Sequence, residues 1–175
     1  MNAYDMILTR KSVRSYTGAH VDDELVEKIM LAGTRAPSGM ANEPWRFAVV
    51  RDPKVKGEIA QLTKHTKVLE GADVLICLFM DNSVGYNATK DANTIGACAE
   101  NMLLAAAGLG LGAVWLGLHP IQEAEEAMRQ MLAIPEEVVP FAVVSIGHPG
   151  EQKAPHEAYE AERVHWERFG KEAAR

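Results

Sequence analysis

The sequence is short of the groups that most readily announce a chemistry. Only two of its 175 residues are cysteine, Cys77 and Cys98. Each sits alone inside an apolar run, with neither the spacing of a metal site nor the density of a disulfide framework, so buried thiols of a reducing compartment are expected. The six histidines form no H-E-x-x-H pair and no cysteine–histidine pattern, which leaves no metal signature. Cations are in deficit, with 18 lysines and arginines against 24 acidic residues, so no basic face for non-specific nucleic-acid binding is expected. No apolar run is long enough to span a bilayer; the longest candidate, over residues 95–118, is broken by Glu100, Asn101 and several glycines. Residues 1–15 lack the apolar centre and small-residue cleavage site of a signal peptide, and a cytoplasmic location is expected. Nucleophile signatures are missing too. Ser38 lies in Pro-Ser-Gly, not in a G-x-S-x-G elbow, and there is no Walker A loop. Gly108-Leu109-Gly110-Leu111-Gly112 follows a helical pattern and precedes a strand, the reverse of a dinucleotide-binding turn. A chain without nucleophile or metal that is nonetheless an enzyme must borrow its chemistry from a cofactor.

Against this background, Arg10-Lys11-Ser12-Val13-Arg14-Ser15-Tyr16 stands out. Three cations and two hydroxyls within six residues suit an anion, above all a phosphate. A solvated basic turn reads the same way in isolation.

The length suits one domain spanning 1–175, and periodicity predicts an α+β fold. A short helix over 2–9 leads into the basic stretch. A second helix follows Asp22 as its N-cap and stops at Ala36-Pro37-Ser38-Gly39. A strand over 46–50 ends at Asp52-Pro53, and an amphipathic helix covers 54–64. The unbroken apolar run over 74–80 predicts a strand buried on both faces. Residues 81–90 read as a polar, glycine-containing loop. Residues 91–108 give the strongest helical pattern: Ile95, Cys98, Ala99, Met102, Leu103 and Ala106 recur at helical spacing, and alanine and glycine fill much of the rest. Such a helix is buried on most sides, inside one chain or between two. A strand over 113–118, a helix over 121–132 and a strand over 139–146 complete the core. A charged segment over 155–170 carries Tyr159, Trp166 and Phe169 as anchors.

Five blocks in series then resemble the FMN-dependent nitroreductase family in its short form. They are the basic stretch; Ala36-Pro37-Ser38-Gly39-Met40-Ala41-Asn42-Glu43-Pro44-Trp45; Glu100-Asn101-Met102-Leu103-Leu104-Ala105-Ala106; Gly108 through Gly117; and Ile146-Gly147-His148-Pro149. The resemblance implies a nitroreductase-like fold, a central, mostly antiparallel sheet flanked by helices. It also implies a domain-swapped style of homodimer with FMN at the interface, the segment 155–175 packing on the partner. NADH or NADPH would be the reductant, and an electron-poor small molecule, such as a nitroaromatic or quinone, the acceptor. A flavin-handling protein or a specialised flavoenzyme of the same fold is the alternative. Under the resemblance, Arg10, Lys11, Ser12 and Arg14 match the residues at the cofactor's phosphate and ribityl chain, Arg14 also approaching the pyrimidine edge. Pro37, Ser38 and Asn42 match the loop that the other subunit lays on the cofactor. Leu116 and Gly117 match the strand exit whose backbone N–H groups face the ring near N5, and Lys153 a further phosphate cation. No protein side chain is implied as acid or base. Glu43 and Glu100 depart from the pattern, standing where glutamine is frequent.

Overall fold

Strand β2 (Val74–Asp81) is the axis of the molecule, and every residue in it is buried. Its side chains alternate between two separate cores. Val74, Ile76, Leu78 and Met80 face one, while Leu75, Cys77 and Phe79 face the other. Two apolar faces need two covering layers, and the computed structural model, which describes residues 2–151, 154 and 160–170, has both. Helices α2 (Asp23–Gly33) and α5 (Ala88–Gly108) cover the first face. Helices α3 (Pro53–Gln61), α4 (Thr66–Gly71) and α6 (Gln122–Leu132) cover the second. Helix α1 (Ala3–Thr9) buries no residue and rests beside α5.

With β1 (Trp45–Val50), β3 (Gly112–Gly117) and β4 (Val138–Gly147), the sheet runs β1-β2-β4-β3, every neighbouring pair antiparallel. The expected α+β architecture is therefore present. Pro140 lies near the start of β4, an inner strand. It is accommodated by a bulge: Leu78 pairs with Ala142 and Phe79 with Pro140, leaving Phe141 out of register. The freed Phe141 carbonyl accepts the N–H groups of Leu118 and His119 at 3.0 Å each and so fixes the exit of β3.

Local chemistry sets the other boundaries. Asp52 caps α3 by accepting from the Lys54 and Val55 N–H groups at 2.9 and 3.0 Å. The helix stops at Gln61, earlier than residue 64, and α4 follows unanticipated: its six residues bury only Leu69, too little for a periodic signal. Asp22 occupies the N-cap of α2, but its side chain makes no capping bond. Asn87 caps α5 and starts it at Ala88, which shortens the polar loop expected over 81–90. The six residues predicted to line the buried face of α5 are all buried. Ala92, Gly96, Ala97, Leu104, Ala105 and Ala107 are only partly covered. Residues 160–170 hold one 3₁₀ turn (Ala161–Arg163) and expose Trp166 and Phe169. Lys153 and Tyr159 lie outside the described residues. No helix among the described residues is long and apolar enough to cross a membrane.

Candidate functional site

The basic stretch is stitched to the edge of the sheet at both ends. Ser12 bridges Ala113 of β3, and the Val13 N–H donates to the Ala113 carbonyl at 3.0 Å. Val13 is buried directly over Gly112, where an added Cβ would fall 2.8 Å from the Val13 Cβ, so this close approach requires glycine. Tyr16 bridges Pro149 and sends its hydroxyl inward. That hydroxyl donates to the Val13 carbonyl at 2.9 Å and lies 2.7 Å from Ser145 Oγ. Burial pushes the phenol up to about 12, against the opposing effect of the Ser145 bond, so Tyr16 is a neutral clamp at physiological pH. Along this stretch, Arg10, Lys11 and Ser12 are half-buried and Arg14 is exposed. Arg10 Nε lies 2.9 Å from Glu100 Oε1 on α5, and the Arg14 N–H donates to Glu151 Oε1 at 2.9 Å.

A cleft of about 690 Å³ opens beside this stretch, at the exit of β3. Arg14, Trp115, Leu116 and Gly117 line it, together with residues 61–65 between α3 and α4 and Ile121 ahead of α6. Because β3 is an edge strand, alternate residues turn their N–H and C=O groups away from β4. The Ala113 carbonyl receives Val13 on that outer side, so the alternation turns the N–H groups of Trp115 and Gly117 outward; the Leu116 N–H, expected to face the ring, is instead turned toward β4 because strand polarity alternates residue by residue. The walls are apolar (Leu62, Trp115, Leu116, Ile121), with Arg14 and Lys64 adding positive charge. Apolar walls, outward N–H groups and a cationic margin suit a flat heteroaromatic ligand with an anionic end.

The loop over 37–42 is assembled elsewhere, at the start of α5. Pro37, Ser38 and Asn42 do not line the cleft. Ser38 Oγ accepts the Glu43 N–H at 3.3 Å. Asn42 Nδ2 donates to Asp91 Oδ1 at 2.8 Å, while its own Oδ1 is buried with no hydrogen-bond partner among the described residues. Met40, Ala41 and Glu43 all have left-handed backbones, with φ of 54°, 54° and 47°. Such residues carry strain and cluster at binding loops. The Tyr86 ring lies on Gly39 so closely that a Cβ there would overlap it, and Lys90 Nζ stands 5.6 Å from the ring centre. One chain therefore presents two separate surfaces, the cleft and this loop.

Of the residues expected from sequence, Arg14, Leu116 and Gly117 meet in the cleft, with Arg10, Lys11 and Ser12 adjoining along the chain. Lys153 falls outside the described residues. Sequence reasoning missed residues 61–65, Trp115 and Ile121. Only the polarity of Lys64-His65 between two helices could have drawn attention to the loop. Elsewhere the chemistry is quiet. Burial pushes both thiols, Cys77 and Cys98, up to about 12. His119 is taken up by Glu125 at 2.8 Å and by stacking on Phe141. Among the described residues no group of three or more His, Cys, Asp or Glu is placed to hold a metal.

Known proteins share this fold. The model of the Nitroreductase family matches residues 7–72 and 60–148. A relative from Archaeoglobus fulgidus, provisionally named NADH dehydrogenase/NAD(P)H nitroreductase, is 38% identical over 168 residues, 94% of this chain and 97% of that protein. A crystal structure of a protein from Parabacteroides distasonis with the same provisional name superposes with a TM-score of 0.92 at 31% identity, covering 97% of this chain and 100% of that one. A provisionally named nitroreductase from Desulfovibrio desulfuricans, solved in complex with FMN, superposes with a TM-score of 0.84 at 37% identity, covering 97% and 98%.

Proposed function

Because the chain belongs to the nitroreductase family, we propose that it is a cytoplasmic FMN-dependent oxidoreductase that uses NADH or NADPH to reduce an electron-poor small molecule, such as a nitroaromatic or a quinone. FMN, when bound, supplies the chemistry by accepting and releasing a hydride at N5, so that donor and acceptor take turns on one open face in a ping-pong sequence. The protein's own part is to bind, orient and tune.

Arg10, Lys11, Ser12 and Arg14 hold the phosphate and ribityl end, and the track fixed by Ala113 and Tyr16 keeps them in place without reorganisation. Arg14, at the cleft, would also set a positive charge near the pyrimidine edge and so favour the negative charge of the reduced ring. Gly117 offers an N–H from the open edge of β3, and Leu116 beneath it supplies an apolar floor that excludes water. Lys153, two residues past Glu151, would add a phosphate cation.

The loop over 37–42 serves the cofactor of a second subunit in a symmetric homodimer. The half-covered small residues of α5 and the exposed Tyr4, Ile7, Leu8, Leu31 and Met40 supply an interface on this single 1–175 domain; of the segment 155–175, which the resemblance lays on the partner, only 160–170 is described. The buried, unpartnered Asn42 Oδ1 supports a ligand-facing role, since such an atom is costly unless something donates to it.

The observation that carries this reading is the convergence of Arg14, Gly117 and Trp115 on one apolar cleft at an open sheet edge. An absorbance spectrum of the purified protein tests it. The expected result is a yellow protein that NADH or NADPH bleaches without oxygen and a quinone or nitro compound recolours. A colourless protein that takes up no FMN sinks the reading.

A further inference from the structure

The anion-seeking stretch has anions of its own beside it. Glu100 reaches from α5 to within 2.9 Å of Arg10 Nε, and Glu151 accepts the Arg14 N–H at 2.9 Å. A carboxylate offers a guanidinium the same kind of paired anionic oxygens that a phosphate does. Neither member of the Arg10–Glu100 pair is sealed from water: the side chains are 29% and 44% exposed. Pairs this open are weakly held and easily exchanged. The contact is made through Nε, and a guanidinium carries five donors in a planar fork, so Arg10 keeps donors for a second anion. That second anion must then sit near the Glu100 charge.

We propose that Glu100 is a specificity-determining residue: it shares Arg10 with the cofactor's phosphate, and its charge sets how much more tightly a phosphorylated flavin is held than an unphosphorylated one. The proposal rests on the reading that Arg10 faces that phosphate. Glu100 touches no part of the ring in this scheme. It lowers the hold on the phosphate by like-charge repulsion and leaves the remainder of the ligand unaffected. Glutamine at this position has nearly the same shape and still accepts from Arg10 Nε, so Glu100→Gln removes the charge and little else.

The test is a titration of the flavin-free, full-length chain with FMN and with riboflavin, followed by flavin fluorescence, for the wild type, Glu100→Gln and Arg10→Ala. Removing one charge several ångströms from a phosphate at a half-solvated site is expected to tighten FMN by about 3- to 10-fold. Riboflavin, which lacks the phosphate, is expected to shift less than about 2-fold, and the FMN gain to shrink at about 0.5 M salt, where such charges are screened. Unchanged or weaker FMN binding by Glu100→Gln overturns the proposal, as does an equal gain for riboflavin. Arg10→Ala separates the two levels. If it weakens FMN while Glu100→Gln does nothing, only the role of Glu100 falls. If it leaves FMN binding intact, the placement of Arg10 at the phosphate falls, and the proposal with it.

Discussion

Asp91 and Glu100 are carboxylates on the same helix with opposite commitments. Asp91 is buried at the first turn of α5, and its oxygens take three N–H donors: Asn42 Nδ2 at 2.8 Å, Tyr86 N at 3.0 Å and Asn87 N at 2.9 Å. Burial alone would raise its pKa, but those bonds outweigh it and hold the carboxyl below the usual range. Glu100 is half exposed and faces Arg10. A charge whose oxygens are fully engaged belongs to the fold, because nothing can take its donors without leaving others orphaned. A charge shared with one exposed partner can be displaced by a ligand. The same contrast holds among the arginines. Arg51 binds Asp73, Asp23 and the Val21 carbonyl and ties the start of α2 to the sheet. Arg14 uses its backbone N–H on Glu151 and keeps its side chain at the cleft.

The largest expected effect is at Asp91. Asp91→Ala strips the acceptor from two backbone N–H groups and from Asn42, and should cost about 2–3 kcal/mol. In a chain of this size that lowers the melting temperature by about 5–10 °C. Thermal unfolding followed by circular dichroism checks it. A melting temperature within a degree of wild type would mean that the three bonds are not what secures this end of the helix, and the contrast with Glu100 would collapse.

The two arginines sharpen the contrast from the other side. Arg51→Ala is expected to lose about 1–2 kcal/mol of stability and leave flavin affinity alone. Arg14→Ala is expected to do the reverse, weakening FMN retention by about 10-fold or more while the melting temperature of the flavin-free chain stays put. Equilibrium dialysis against FMN, paired with thermal melts of both proteins, reads out the four quantities. Equal losses of stability would erase the distinction between structural and ligand-facing cations.

These contrasts also mark what was legible in the sequence. Strand β2 could be read directly because both its faces are buried, which leaves an unbroken apolar run. Helix α5 could be read because its buried positions recur at 3.6 residues. The basic stretch and the two blocks at residues 36–45 and 108–117 could be read as local patterns. The cleft itself could not. Residues 61–65 meet Arg14 and Gly117 only because α3, α4 and α6 all pack on one face of the sheet, and no local pattern records that. Asp91 was hidden, one acid among 24 until its partners are placed; Glu100 stood out as a charge where glutamine is frequent, but its pairing with Arg10 did not. Helix α4 was missed because a six-residue helix that buries only Leu69 has no period to detect.

The smallest expected effect is a difference of slopes with pH. Asp91 is held below its unfolded pKa of about 3.9. A depressed carboxyl contributes stability that is complete above the unfolded value and is lost as pH falls through the folded one. Asp91→Asn has no such proton to bind, so its deficit relative to wild type should be constant between about pH 5 and 7 and narrow below about pH 4. The acid limb of the variant should not become flat. Asp81 is also held low, by its bonds from Ser83 and by Arg46, and it remains in both proteins. Urea unfolding at intervals from pH 7 to 3 measures the gap. A gap that stays constant to the acid end would show that protonation of Asp91 is not coupled to folding, and Asp91 would then resemble Glu100 more than its three donors suggest.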